Sequence, residues 1–239
     1  MGNPFSDKLC RLANLGHADV NALLAVTARA RKLPARVDLI REGDRPGPVF
    51  VVLEGWACRY KILPNGLRQI LAFLMPGDAC DLHIGFLAEM DHGIQSVTPL
   101  RFVAIDRDEM DALMDAHPRI ARAMYISQLI DEATMRAWIT SMGRRSSLER
   151  AAHLMCELYI RAHNIGQVND ASFSIPLSQI MLADSLGMTS VHINRVFKEL
   201  RLAGALSLSR GNVKIVDPEK LVRIAGFDEN YLHRRIRVT

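Results

Sequence analysis

The chain has 239 residues, of which 49% are hydrophobic and 23% charged, and it carries a net charge of +4. That composition suits a soluble globular protein with room for two modest domains, and no apolar run approaches the roughly 20 residues that span a membrane. The four cysteines, Cys10, Cys58, Cys80 and Cys156, stand far apart with no CxxC pair. This excludes a disulfide framework and, with no secretory apolar segment at the start, points to the cytoplasm.

The charge is unevenly spread. From Arg144 onward 14 Lys and Arg oppose 9 Asp and Glu, whereas the first 143 residues hold 16 basic and 17 acidic groups. A basic C-terminal part beside a near-neutral N-terminal one suggests an anionic polymer as partner, most simply nucleic acid.

In chain order, residues 6–32 read as short helices, because "DVNALLAVTARAR" places apolar residues at helical spacing. From Leu33 the texture changes to short, β-branched apolar runs cut by Gly-Asp, Pro-Gly, Asn-Gly and Pro-Gly-Asp. These are turn signals between strands. The clearest hairpin is "PNGLRQ" between "CRYKIL" and "ILAFLM", with Asn65 and Gly66 suited to positive φ. A last strand, "LRFVAID", completes an antiparallel β-roll of jelly-roll type over 33–106.

After Pro118 an unbroken helical run extends to Gly143. Ala123, Ile126, Ile130, Ala133, Ala137 and Thr140 recur at alternating spacings of three and four, the pattern of a coiled-coil dimer seam. A second stripe, Tyr125, Leu129 and Trp138, is suited to face the β-domain. A single helix packed only on its own β-domain is the alternative. Gly143 ends this helix, and Ser146 or Ser147 caps the next.

The C-terminal part reads as helix 147–163, a strand in "FSIPL", helix 178–186, helix 189–202, and two strands in "ALSLSRGNVKIVD" around Arg210, Gly211 and Asn212. Two helices followed by a ribbon make a winged helix-turn-helix. Gly187 takes the left-handed turn, and Thr189 caps the second helix. Ile180, Leu182, Ala183 and Leu186 are expected inside, as are Ile193, Val196, Phe197 and Leu200. That leaves Ser190, Val191, Asn194, Arg195 and Lys198 outward and His192 on the flank. Arg pairs with guanine O6/N7, Asn with adenine, and Val touches a thymine methyl. Ser178, Lys198 and Arg210 are better placed for phosphate.

With these parts in this order, the chain resembles the Crp/Fnr family of bacterial transcription regulators. "IREGDRPGPVFVVLEGWACRYKILPNGLRQILAFLMPGD", with Gly43, Phe50, Val52, Gly55 and the Pro-Gly-Asp turn at 76–78, is similar to that family's β-roll. The resemblance implies an α+β chain: a cyclic-nucleotide-binding-like sensor domain at 1–117, a dimerisation helix at 118–143 and a winged helix-turn-helix DNA-binding domain at 144–239. It also implies a homodimer on palindromic double-stranded DNA, with half-sites about one helical turn apart, and recruitment of RNA polymerase.

The sequence also departs from the family. Where members that bind cyclic AMP carry a ribose-binding Glu, Leu82 stands here. Their phosphate-binding Arg-Ser maps near Met90 and Asp91, and no Arg occurs between Arg68 and Arg101. A buried cyclic phosphate without Arg is poorly compensated, so the effector is not expected to be cyclic AMP. Only Cys10 lies where oxygen-sensing members carry a cysteine cluster for iron–sulfur. Cys80, Asp81 and His83 resemble the haem-ligand region of the carbon-monoxide-sensing members, with His92 nearby, and a redox role for Cys80 or Cys156 is the further alternative. No cofactor and no metal site is otherwise expected. In the recognition helix the family's Glu-x-x-Ser-Arg becomes Val191 to Arg195, so the operator should differ at the base the Glu would read. No catalytic motif suggests an enzyme. A ligand-binding module whose winged helix serves protein contacts is the remaining alternative.

Overall fold

The computed structural model describes residues 2–80, 82, 87–209 and 211–233. One compact unit holds the chain up to Asp131, and a second begins at Glu132.

In the first unit, helices α1 (Pro4–Leu12) and α2 (His17–Val26) precede eight strands among the described residues. These are β1 (Arg31–Leu33), β2 (Asp38–Ile40), β3 (Val49–Glu54), β4 (Ala57–Ile62), β5 (Arg68–Leu74), β6 (Ala79–Cys80), β7 (Gly93–Ser96) and β8 (Leu100–Ile105). They form two four-stranded antiparallel sheets ordered β1-β8-β3-β6 and β2-β7-β4-β5. Strand β3 shows why its sequence, "VFVVLE", is apolar without alternation. Phe50 and Val52 join a cluster with Ala57, Leu74, Ile94 and Phe102, whereas Val49, Val51 and Leu53 join another with Phe5, Leu9 and Leu23 of the N-terminal helices. A strand covered on both faces is apolar throughout. In the β4–β5 hairpin Gly66 alone takes positive φ (+81°), and Asn65 instead accepts from the Leu67 amide at 3.1 Å.

Helix α3 (Arg107–Ala116) leads into α4 (Pro118–Arg144), which runs through Gly143 rather than stopping there. The change of unit falls inside α4, between Asp131 and Glu132. The first half of α4 contributes Ile120, Ala123 and Met124 to the β-roll core. The seam expected from the sequence is in part covered within the chain's own units. Ala123 is fully buried and Ala133 nearly so, while Ile126, Ile130 and Ala137 are half-buried. Packing leaves Ala123 and Ala133 little surface for a partner helix, whereas Ile126, Ile130 and Ala137 keep part of theirs. The exposed apolar stripe is Tyr125, Leu129, Met135 and Ile139. Tyr125 and Leu129 thus point to solvent rather than onto the β-domain.

The second unit contains the end of α4, α5 (Ser147–Asn164), α6 (Gln179–Leu186), α7 (Ser190–Leu202) and α8 (Pro218–Ala225), with a closing 3-10 turn at Glu229–Leu232. Its antiparallel sheet runs β11-β12-β10-β9, from β9 (Val168–Asn169), β10 (Ser172–Ser174), β11 (Leu206–Ser209) and β12 (Asn212–Ile215). Ser146 caps α5 in a reciprocal box with Glu149, each side chain bonding the other residue's amide. Glu157, in the middle of α5, is fully buried and accepts from Trp138 Nε1 at 2.8 Å, Tyr231 Oη at 3.0 Å and Arg161 Nη1 at 3.4 Å. Burial pushes its carboxyl pKa up, against the pull of those three donors.

Candidate nucleic-acid interface

Helix α6 starts at Ser178, whose hydroxyl accepts from the Met181 amide at 3.2 Å. It ends at Gly187 in the left-handed conformation (φ +62°), and the Met188 amide closes back on the Ala183 carbonyl at 3.0 Å. The turn is tight on two counts. A Cβ on Gly187 would lie 2.6 Å from Met142 Cε, and Arg150 Nη1 donates to the Leu186 carbonyl at 2.6 Å. Thr189 then caps α7, its hydroxyl accepting from the His192 amide at 3.2 Å.

In α7, Ile193, Val196, Phe197 and Leu200 are buried, repeating at the spacing of one helix face. Ser190, Val191, Asn194, Arg195 and Lys198 are exposed and His192 is half-buried. Val191 is 80% exposed, which costs an apolar side chain its hydrophobic stabilisation unless something covers it. Ile180, expected inside, is 62% exposed. The inward face of α6 is set by Leu182, Ala183, Ser185 and Leu186, which turns Ile180 outward beside Asp184, one turn on.

Two of the outward groups are already held by neighbours. Arg195 Nη2 lies 3.0 Å from His192 Nδ1; a guanidinium only donates, so Nδ1 is the accepting side of that contact. Asn194 Nδ2 donates to Gln179 Oε1, on the first residue of α6, at 2.7 Å. Gln179 was not singled out from the sequence, since nothing in local spacing signals a bond between two helices.

The wing is the β11–β12 hairpin, in register from Leu206↔Ile215 to Ser209↔Asn212, and it continues through β12 into β10. Arg210 lies outside the described residues. Lys214 is tied to Asp170 at 2.9 Å.

Of the effector candidates, Asp81 and His83 also lie outside the described residues. Cys80 is buried among Phe50, Val52, Met90 and Leu100. Both ring nitrogens of His92 are engaged, Nδ1 with Asp91 at 2.6 Å and Nε2 with Arg59 at 3.1 Å. Burial pushes the Cys156 thiol up to about 12, away from the thiolate that redox chemistry uses. Among the described residues no three His, Cys, Asp or Glu are grouped to hold a metal, and no helix is long and apolar enough to cross a membrane.

Comparison with known proteins agrees with this architecture. Residues 30–117 match the cyclic nucleotide-binding domain and residues 149–224 the Crp-like helix-turn-helix domain, together well over half of the chain. The nitrogen fixation regulation protein FixK of Bradyrhizobium diazoefficiens is 27% identical over 188 residues, covering 77% of this chain and 76% of its own. The transcriptional activatory protein AadR of Rhodopseudomonas palustris is 26% identical over 215 residues, 88% of this chain and 87% of its own. The solved structure of FixK2 from Bradyrhizobium japonicum superposes with a TM-score of 0.74 at 20% identity, over 82% of this chain and 96% of that one, a likeness of fold. With a nucleotide-binding-type β-roll, a long connecting helix and a Crp-like winged helix in one chain, this protein belongs to the Crp/Fnr family of transcription regulators.

Proposed function

We propose that the chain is a sequence-specific DNA-binding transcription regulator that acts as a homodimer on a palindromic site. The observation that carries this reading is the outward face of α7. Val191, Asn194 and Arg195 are exposed together on a helix capped by Thr189 and fixed to α6 through Gly187. Such a rod fits a major groove, where Arg195 reads guanine, Asn194 adenine and Val191 a thymine methyl. Ser190 and Lys198 flank those contacts, while Ser178, Lys198 and the wing engage phosphate and set register. The names of FixK and AadR as a regulation protein and an activatory protein support a regulatory role through transcription. Recruitment of RNA polymerase, in the cytoplasm, follows from that role.

The dimer contact belongs to Tyr125, Leu129, Met135 and Ile139, the large apolar side chains that α4 leaves exposed. We read the effector as other than cyclic AMP. Leu82 and Met90, which stand near the ribose- and phosphate-binding positions of nucleotide-binding members, are apolar and packed in the β-roll cores.

The test is duplex selection followed by Arg195→Ala. Specific affinity should fall by about 1–3 kcal/mol while affinity for random duplex stays nearly constant. If both fall equally, or neither falls, Arg195 reads no base and the groove assignment fails. A winged helix that serves only protein contacts would give the second result.

A further inference from the structure

We infer that Gln179 sets the specificity of Asn194: the two carboxamides, one from each helix of the motif, act as a single reading unit. The inference rests on the DNA-binding reading above and adds a residue and a mechanism to it.

The geometry begins with the cap. Ser178 starts α6, so Gln179 is the first helical residue and its side chain is free of the preceding turn. Asn194 stands on the exposed face of α7, and its Nδ2 donates to Gln179 Oε1 at 2.7 Å. Both residues are exposed. A bond this short between two exposed amides gives up rotational freedom that water would otherwise leave them.

The chemistry follows from what each amide has left. Asn carries two amide hydrogens and one carbonyl oxygen. One hydrogen goes to Gln179, and the other, with Oδ1, forms a donor–acceptor edge. Adenine offers the complement in the major groove, an acceptor at N7 and a donor at N6. A free Asn amide can turn over and present the opposite order. With Oε1 turned toward Asn194, as in this structure, Gln179 favours one order, because Oε1 accepts a hydrogen and repels an oxygen. The Gln179 Nε2 group keeps its own donors for a phosphate or a neighbouring base. His192 does the parallel work for Arg195, so both base-reading groups have a brace from the protein.

The experiment is selection of bound duplexes from a randomised pool with full-length protein, for the wild type, Gln179→Ala, Gln179→Glu, Asn194→Ala and the double variant. Asn194→Ala should erase the preference at one base position in each half-site. Gln179→Ala should relax the preference at that same position, by roughly five- to ten-fold, and the double variant should match Asn194→Ala. Gln179→Glu keeps the acceptor, so it should retain the preference while total affinity falls through repulsion of the phosphates. Thermal melting should be unchanged throughout, because both side chains are exposed.

A uniform loss for every duplex in Gln179→Ala would make Gln179 a phosphate contact and overturn the inference. So would a changed preference at a different base, or Gln179→Glu behaving as Gln179→Ala does. If the wild type selects no sequence at all, the DNA-binding reading itself fails, an outcome separate from all of these.

Discussion

The indole N–H of Trp138, near the end of α4, donates to Oε2 of Glu157 at 2.8 Å, inside the winged-helix unit. The same oxygen accepts from Tyr231, close to the C-terminal end of the described chain, at 3.0 Å. One buried carboxylate therefore joins three segments distant in sequence. Removing it takes away the acceptor that the indole, the phenol and the Arg161 guanidinium share. Glu157→Ala should lower stability by about 3–5 kcal/mol, the range for breaking a buried charged network from one side. Trp138→Phe, which removes a single donor, should cost about 1–3 kcal/mol. Urea unfolding of the two variants separates these values; equal costs would mean that the carboxylate is not the centre of the network.

His153 gives the unit an acid sensitivity. Its ring is buried, stacked on Tyr231 with centroids 5.6 Å apart and edge-on to Phe227 at 5.0 Å. Burial, with a smaller contribution from Arg145, depresses its pKa from 6.5 to about 4. The unfolded chain therefore binds a proton that the folded one refuses, between those two values. Stability should be full above pH 6.5 and fall as pH drops toward 4, by at most about 3 kcal/mol. His153→Phe should flatten that part of the profile, read as the unfolding midpoint against pH.

A side chain at Gly187 should carry a cost. Its φ of +62° is left-handed, and an added Cβ meets Met142 Cε at 2.6 Å. Gly187→Ala should cost about 1–2 kcal/mol from backbone strain alone. Calorimetry should show the loss; an unchanged transition would mean that the turn relaxes freely.

The exposed stripe of α4 should govern assembly. Leu129→Glu with Ile139→Glu should yield a folded monomer in sedimentation equilibrium, since neither residue is part of a core. Ala123→Asp should instead unfold the β-roll unit, because Ala123 is fully buried there. A Leu129/Ile139 variant that remains dimeric would move the interface elsewhere.

Lys198 should act on every duplex alike. Lys198→Ala should weaken specific and random binding together and reduce the slope of log affinity against log salt by about one unit. A loss confined to the selected site would make Lys198 a base-reading residue.

Much of this was legible in the sequence because it is local. The hairpin at Asn65–Gly66, the Ser146 cap with Glu149, and the order of α6, Gly187, Thr189 and α7 each depend on residues a few positions apart. The four inward residues of α7 follow from one helical period. Helix α8 and the closing turn at Glu229–Leu232 carried signals that the reading passed over, notably Asp217 capping before Pro218 and Gly226 after Ala225.

The sequence by itself determined which segments become helix and strand and which α7 side chains turn outward, because caps, turns and periodicity act over one or two turns of chain. Only the tertiary structure decided which apolar side chains of α4 stay exposed, that Ile180 faces solvent, and that Gln179 meets Asn194. Each of these depends on which surface packs against a neighbour far away in sequence. A helix with apolar residues on more than one face does not itself specify which face the fold will cover.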